Sequence, residues 1–189
     1  MKVRFAHPED STALLAIYGQ YIHTNITFEY DLPNQEEFAR RIAAFSDCYP
    51  YLAEEEDGVV AGYAYAHRIW ERTAYQWDAE LSVYLSRAAA GKGLGKRLCR
   101  VLLELLRLQG IRTVYALVTV PNEKSEGLHR AMGFRHMGTQ RNTGYKDGAW
   151  RDVTYFEKPL AGLDDGVPQP PQSVHALPEA LVASILEQA

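Results

Sequence analysis

The chain has 189 residues, 47% of them hydrophobic and 23% charged, with a formal net charge of −4. That length is slightly more than one typical domain and is enough to bury a core without disulfides or structural metal. Three Trp, twelve Tyr and six Phe exclude a disordered chain, and the acidic balance excludes a general nucleic-acid binder.

Val3 and Phe5 alternate with polar residues and predict a short strand. Pro8, Glu9 and Asp10 open a helix as first turns prefer, with Ala13, Leu14, Ile17, Tyr18, Tyr21 and Ile22 at helical spacing. Residues 24–33 read as a loop, and Asn34 followed by Glu37 resembles a capping box for a second helix with Phe38, Ile42 and Phe45 inward. Residues 51–55 and 59–67 flank Asp57-Gly58 and predict a β-hairpin. A connector at 69–76, dense in aromatics and charge, leads to a strand at 77–85. A glycine-rich loop at 88–95 then enters a helix with Leu98, Val101, Leu102, Leu105 and Leu108 on one face and Gly110 at its C-cap. Residues 113–119 form a buried strand, Pro121-Asn122 breaks the chain, and 125–132 is a short helix ended by Gly133. Final strands are expected at 134–138 and 153–158, with a turn-rich hairpin between them. After Leu160 the composition shifts: Gly162, Asp164, Asp165, Gly166, Pro168, Pro170 and Pro171 make a linker. A short amphipathic helix follows at 178–188 through Leu181, Ile185 and Leu186, and it needs a docking surface. The expected organisation is one domain at 1–160 and a linker with a helical tail at 161–189.

The longest apolar stretch, 101–108, is broken by Glu104 and Arg107, far short of the roughly 20 residues a membrane span needs. The start, Met1-Lys-Val-Arg-Phe, lacks an apolar signal core, so a cytoplasmic setting is expected. Cys99 reads as a small core residue, and together with Cys48 it makes neither a disulfide framework nor a metal motif. His7, His23 and His67 show no metal spacing and receive no role. One local charge feature stands out. Arg87, Lys92, Lys96, Arg97 and Arg100 crowd a segment nearly free of acids, which suits a small anionic ligand or, equally, a solvated helix face.

That basic segment contains Gly91-Lys92-Gly93-Leu94-Gly95-Lys96-Arg97 directly after a strand. Glycines at a helix entry let backbone N–H groups approach an anion, and the helix dipole favours phosphate. A Walker loop would need Ser or Thr after Gly95-Lys96, where Arg97 stands. A dinucleotide loop needs G-x-G-x-x-G, and the spacing here is G-x-G-x-G. The remaining reading is the pyrophosphate loop of coenzyme A in acetyltransferases, with glycines that merely turn the chain as the alternative.

Several ordered pieces make the resemblance specific. They are Thr27-Phe28-Glu29; the run from Arg72 through Tyr75, Trp77, Glu80 and Ser82 to Tyr84; the glycine loop; Pro121-Asn122 with Ser125; Leu128-His129 with Gly133-Phe134; and Gly144-Tyr145 with Gly148, Trp150 and Asp152. Over residues 2–160 the chain resembles the GNAT superfamily of N-acetyltransferases, within it the phosphinothricin and methionine sulfoximine acetyltransferase group. The resemblance implies an α/β fold with a central mixed, mostly antiparallel sheet of six or seven strands and helices on both faces. It also implies a homodimer that uses acetyl-CoA as co-substrate and no metal. Its acceptor is the amino group of a small amino acid or analogue; a protein N-terminus, a polyamine or an aminoglycoside is the alternative, as is a CoA-binding module without turnover. Backbone groups of Val83, Tyr84 and Leu85, the loop Gly91, Lys92, Gly93, Leu94, Gly95 and Lys96, and Asn122 and Ser125 would hold the cofactor. The superfamily loop opens with Gln or Arg where this chain has Ala90, so weaker CoA binding is expected, with Arg87, Lys92 or Arg97 in compensation.

Acetyl transfer needs a deprotonated amine, stabilisation of the carbonyl oxygen, a neutralised thiolate and two substrates held in line. Strand alternation places Glu80, Ser82 and Tyr84 on one face. A carboxylate there, among aromatic neighbours, has a raised pKa suited to a general base, and the matching Glu is the family's proposed base. The alternative is a strand Glu paired with Arg72 or another cation. His129 stands where many superfamily members place a Tyr near the sulfur, and reads as a donor to the thiolate or as a helix histidine packing an edge; Asn122 reads both as a cofactor contact and as a helix cap. Arg72 matches the group's substrate segment and would meet the acceptor's carboxylate, with a solvated loop Arg as the alternative; Phe28, Glu29, Trp70, Tyr75 and Trp77 would wall the pocket or, equally, serve core packing.

Overall fold

The computed structural model describes residues 2–162 and 166–188. Strand β1 (Lys2–Phe5) leads through a 3-10 turn at Pro8–Asp10 into α1 (Ser11–Gly19). Helix α2 (Gln35–Ser46) starts where the Asn34 side chain accepts the amide of Glu37 at 2.9 Å. The Asp57-Gly58 turn, with both residues at positive φ, joins β2 (Tyr51–Glu56) to β3 (Val59–Arg68). Then follow β4 (Asp78–Leu85), α3 (Leu94–Gln109), β5 (Thr113–Val120), α4 (Glu123–Ala131), β6 (Arg135–Lys146), β7 (Ala149–Pro159) and α5 (Glu179–Glu187).

The strands form one seven-stranded sheet in the order β1-β2-β3-β4-β5-β7-β6. All neighbours are antiparallel except β4 and β5, whose crossover is α3. Helix α3 covers one face, packing Leu98, Leu102 and Leu105 against Leu52, Ala64, Ala66 and Leu81. Helices α1 and α2 cover the other, where Leu14, Ile17, Phe38 and Ile42 meet Tyr51, Ala53 and Tyr63. This is the expected mixed sheet with helices on both faces.

Four local expectations are corrected. Helix α1 ends at Gly19, so Tyr21 and Ile22 sit in the following turn. Helix α4 starts two residues early, because the Asn122 side chain caps it by accepting the Ser125 amide at 3.2 Å. The segment between the last strands is a continued ladder and not turn-rich. The β6–β7 turn is Asp147-Gly148 alone, and the glycines and Asn142 of β6 serve register shifts at His136/Gly138 and Gln140/Gly144. In the tail, α5 packs on α3 and β1 through Val182, Ile185 and Leu186, while Leu181 is exposed. The linker stretch around it is anchored: Gln109 Nε2 donates to the Gln172 carbonyl at 2.7 Å. Asp164 and Asp165 lie outside the described residues.

One long-range tie positions the site. Lys146, 1% exposed, donates from Nζ to the carbonyls of Ile22, Thr24 and Thr27 at 2.7, 2.8 and 2.6 Å. It fixes the α1–α2 loop onto the end of the β6–β7 hairpin. Lys146→Met would strip three buried carbonyls of their donor, so a loss of about 3 kcal/mol is expected in urea unfolding; a loss below about 1 kcal/mol would show that the loop is held by other contacts.

Candidate active site

Strands β4 and β5 pair only at Asp78–Thr113, Ala79–Val114 and Glu80–Tyr115. Beyond Glu80, β4 stays paired with β3 as far as Leu85, and beyond Tyr115, β5 stays paired with β7 as far as Val120. The two halves of the sheet therefore part into a V. A cavity of about 190 Å³ fills it, lined by residues 81–85 of β4, 117–119 of β5, and Asn122, Ser125, Leu128 and His129 of the α4 segment. Tyr21, Ile26 and Ala90 close its rim. Of the predicted cofactor residues, Val83, Tyr84, Leu85, Asn122 and Ser125 are thus brought together, with His129 beside them.

The glycine loop stands at the mouth. Gly91 and Gly93 have φ of 84° and 88°, and a Cβ at either would enter open space. Gly93 is the N-cap of α3, so the amides of Leu94 and Gly95 point out ahead of the first helical hydrogen bonds. The Leu94 side chain itself is fully buried against Ala61 and Ala89. Gly95 is buried with Leu85 and Leu128 each 3.4 Å from where a Cβ would stand, so glycine there serves close packing of α3. Lys96 is exposed. The cations expected to compensate for Ala90 are engaged elsewhere. Arg87 donates to the Gln20 carbonyl at 2.6 Å and lies over the Tyr21 ring. Lys92 pairs with Glu56 at 3.0 Å, and Arg97 with the buried Glu54 at 3.0 Å.

Glu80 is the last β4 residue before the V. Burial pushes its carboxyl up, against the opposing pull of His67, whose Nε2 lies 4.0 Å from Oε2. The side chain facing it is therefore His67 and not Arg72. His129 is 5% exposed and edge-on to Phe134 at 5.2 Å. Burial pushes its ring down to about 4, so it is neutral at neutral pH, and its Nδ1 is buried with no partner among the described residues.

The predicted acceptor residues are divided. Glu29 pairs with Arg41 at 2.5 Å and, with Tyr18, Phe38, Tyr51, Tyr63 and Tyr65, lines a second cavity of about 240 Å³. Phe28 lies across Gly144, where a Cβ would come within 2.3 Å of its ring. Arg72 is exposed ahead of a 3-10 turn at Thr73–Tyr75. Tyr75 packs on Trp70 at 5.1 Å, and the Trp77 indole donates to the Gln169 carbonyl of the tail at 2.8 Å. The cavities just described are lined by none of Arg72, Tyr75 and Trp77.

Sequence reasoning missed Tyr21, whose hydroxyl donates to the Leu85 carbonyl at 2.5 Å and fixes the end of β4. Ending α1 at Gly19 would have exposed it. It also missed His67, which β3–β4 register sets opposite Glu80; counting the hairpin outward from Asp57-Gly58 does not find this pair, because the partner strand comes after the connector.

A buried neutral His binds fewer protons than its unfolded counterpart between about pH 4 and 6.5, so stability is full above that window and falls as pH drops through it. The wild type is expected to lose up to about 3 kcal/mol more than His129→Phe between pH 7 and 4.5 in urea titrations. Equal losses would contradict the buried neutral ring.

Residues 3–155 match the acetyltransferase (GNAT) domain. A phosphinothricin N-acetyltransferase of Streptomyces viridochromogenes is 36% identical over 175 residues, 92% of this chain and 93% of that protein. A methionine sulfoximine/methionine sulfone acetyltransferase of Salmonella typhimurium is 32% identical, covering 85% of this chain and 95% of that one. Among solved structures, a phosphinothricin acetyltransferase of Sinorhizobium meliloti in complex with acetyl-CoA superposes with a TM-score of 0.85 at 34% identity, over 93% of this chain and 96% of that one. Family, fold and sheet architecture agree: this chain is an acyltransferase enzyme and belongs to the GNAT family of acetyltransferases.

Proposed function

We propose that the protein transfers an acetyl group from acetyl-CoA to the amino group of a small amino acid or amino-acid analogue of the phosphinothricin or methionine sulfoximine type, by direct attack within a ternary complex. The observation that carries this reading is the V between β4 and β5 with a glycine-capped helix at its mouth, where the last shared ladder position is Glu80, a partly buried carboxylate just outside the residues that line the cavity. The names of the relatives support the acceptor class.

The cavity fits the cofactor. Open space at Gly91 and Gly93 and the leading amides of α3 suit a pyrophosphate, and the mixed apolar and backbone lining of the V suits a pantetheine arm. When bound, acetyl-CoA supplies the activated acetyl thioester. Backbone groups of Val83 and Leu85 would align the arm, with Tyr84 turned to the helical face. Asn122 keeps its side-chain NH2 for the arm while its oxygen caps α4. Glu80, with its carboxyl raised by burial, takes the amine's proton directly or through a water. His129, neutral and lining the cavity, offers a ring N–H to the departing sulfur. On the acceptor side, Glu29 and the tyrosine cavity would take the substrate's body, and exposed Arg72 would swing to its carboxylate.

The same reading places the transferase in residues 1–160, braced by the tail at 161–189, in a cytoplasmic homodimer. The unpaired Cys48 and Cys99 support a reducing compartment. Met137, Tyr145 and Trp150, exposed by 55%, 50% and 60% on the edge hairpin, support a second subunit there.

Free-thiol release from acetyl-CoA across phosphinothricin, methionine sulfoximine, methionine sulfone, the common amino acids, a polyamine and an N-terminal peptide tests the reading. Release is expected with the sulfoximine-type compounds. Glu80→Gln is expected to lower kcat by about 10²-fold or more with acetyl-CoA binding kept. Release confined to the peptide or the polyamine would overturn the acceptor class, and Glu80→Gln at the wild-type rate would overturn the base.

A further inference from the structure

We propose that His67 is a positioning residue behind Glu80, taking from its carboxyl the proton that the acceptor amine has given up and passing it to water in a neighbouring cavity. The inference rests on the reading of Glu80 as the base.

Three observations carry it. First, β3–β4 register pairs His67 directly with Glu80, and their side chains share the α1–α2 face, Nε2 to Oε2 at 4.0 Å. Second, His67 Nδ1 lies 2.9 Å from the Arg68 carbonyl, which only accepts. Nδ1 therefore carries the hydrogen of the neutral ring, and the lone pair is left on Nε2, the nitrogen that faces Glu80. The Phe45 ring, stacked at 5.0 Å and 22°, holds the imidazole in that plane. Third, His67 lines a cavity of about 470 Å³ between α2, the β3 end and the tail. Gln109, one of its lining residues, ties the tail to this wall by donating from Nε2 to the carbonyls of Cys48 and Gln172. A cavity of that size, with Arg68, Glu71, Gln76 and Ser173 in its wall, has the room and the polar partners that ordered water needs.

The proton balance is simple. The amine N–H breaks as the Glu80 O–H forms; the Glu80 O–H then breaks as the Nε2–H forms, restoring the carboxylate beside an imidazolium; water or buffer removes that proton. One water or a small torsion of Glu80 spans the 4.0 Å gap. The acetyl group moves separately, N–C forming as C–S breaks and the thiolate leaves. Other charged or titratable groups around the pair are Tyr65 on β3, which bonds Ser82, Asp78 on β4, and Tyr115 on β5. Arg41 on α2 and Glu29 on the α1–α2 loop face Tyr65, and Arg68 and Glu71 edge the cavity.

The test is the pH–rate profile from about pH 6 to 9 for wild type, His67→Asn, Glu80→Gln and the double variant, with the acceptor that gives most thiol release. His67→Asn is expected to lower kcat about tenfold or more while the KM for acetyl-CoA stays within about twofold. Its acid limb should move to higher pH, because His67 no longer draws the Glu80 carboxyl down. In the Glu80→Gln background the same substitution should add nothing. Imidazole in the buffer should restore part of the rate of His67→Ala, which a merely structural defect would not allow. A wild-type rate and profile in His67→Asn, or a His67→Ala loss that imidazole leaves untouched and that adds fully to Glu80→Gln, overturns the proposal while Glu80 stands. Glu80→Gln at the wild-type rate overturns both.

Discussion

Parallel strands β4 and β5 share a ladder at only three positions, and the backbone groups beyond it have to find partners outside the pair. Each strand solves half of this by staying paired on its other side, β4 with β3 and β5 with β7. What remains is a row of inward-facing backbone groups on two diverging walls, in a cleft lined largely by Leu81, Val83, Leu117 and Val118. Such a cleft suits a long, flexible ligand with amides along it. Helix α3, forced to begin close by because it makes the β4–β5 crossover, brings its N-terminus to the open end. The apex of the V carries Glu80. Cleft, glycine-capped helix start and the position of Glu80 thus follow from one break in one ladder.

The rim of the cleft is held by contacts from far along the chain. Lys146 binds three carbonyls of the α1–α2 loop, Tyr21 binds the Leu85 carbonyl, and Arg87 binds the Gln20 carbonyl. A buried ammonium held by carbonyls rather than a carboxylate is tolerated because all three of its hydrogens are used. The loop that carries Ile26, Phe28 and Glu29 is thereby tied to the β6–β7 hairpin. The tyrosines of β2 and β3 continue this rigidity across the α1–α2 face: Tyr51 stacks on Tyr63 and Tyr65, and Phe45 bridges Tyr65 to His67.

Much of this was legible in the sequence. Alternation and the Asp-Gly turn placed β2 and β3, the Leu98–Leu105 face placed α3, and the glycine loop marked the entry into α3. Long-range pairings were not legible. Nothing local in Lys146 distinguishes it from a surface lysine, because its three acceptors lie about 120 residues away. The cations near Ala90 read as ligand contacts, yet Arg97 and Lys92 meet Glu54 and Glu56 of β2, a strand that sequence spacing does not bring to them. The β6 glycines read as turns because a bulge and a turn share the same residues, and only pairing tells them apart. Nothing local in the sequence set His67 opposite Glu80; only the β3–β4 register does.

A crystal structure of the protein with acetyl-CoA tests the central claim most directly. The pantetheine arm is expected between residues 83–85 and 117–119, the pyrophosphate on the amides of residues 91–95, and the thioester between Glu80 and His129. An arm lying outside the V, or a thioester out of reach of Glu80, would contradict it.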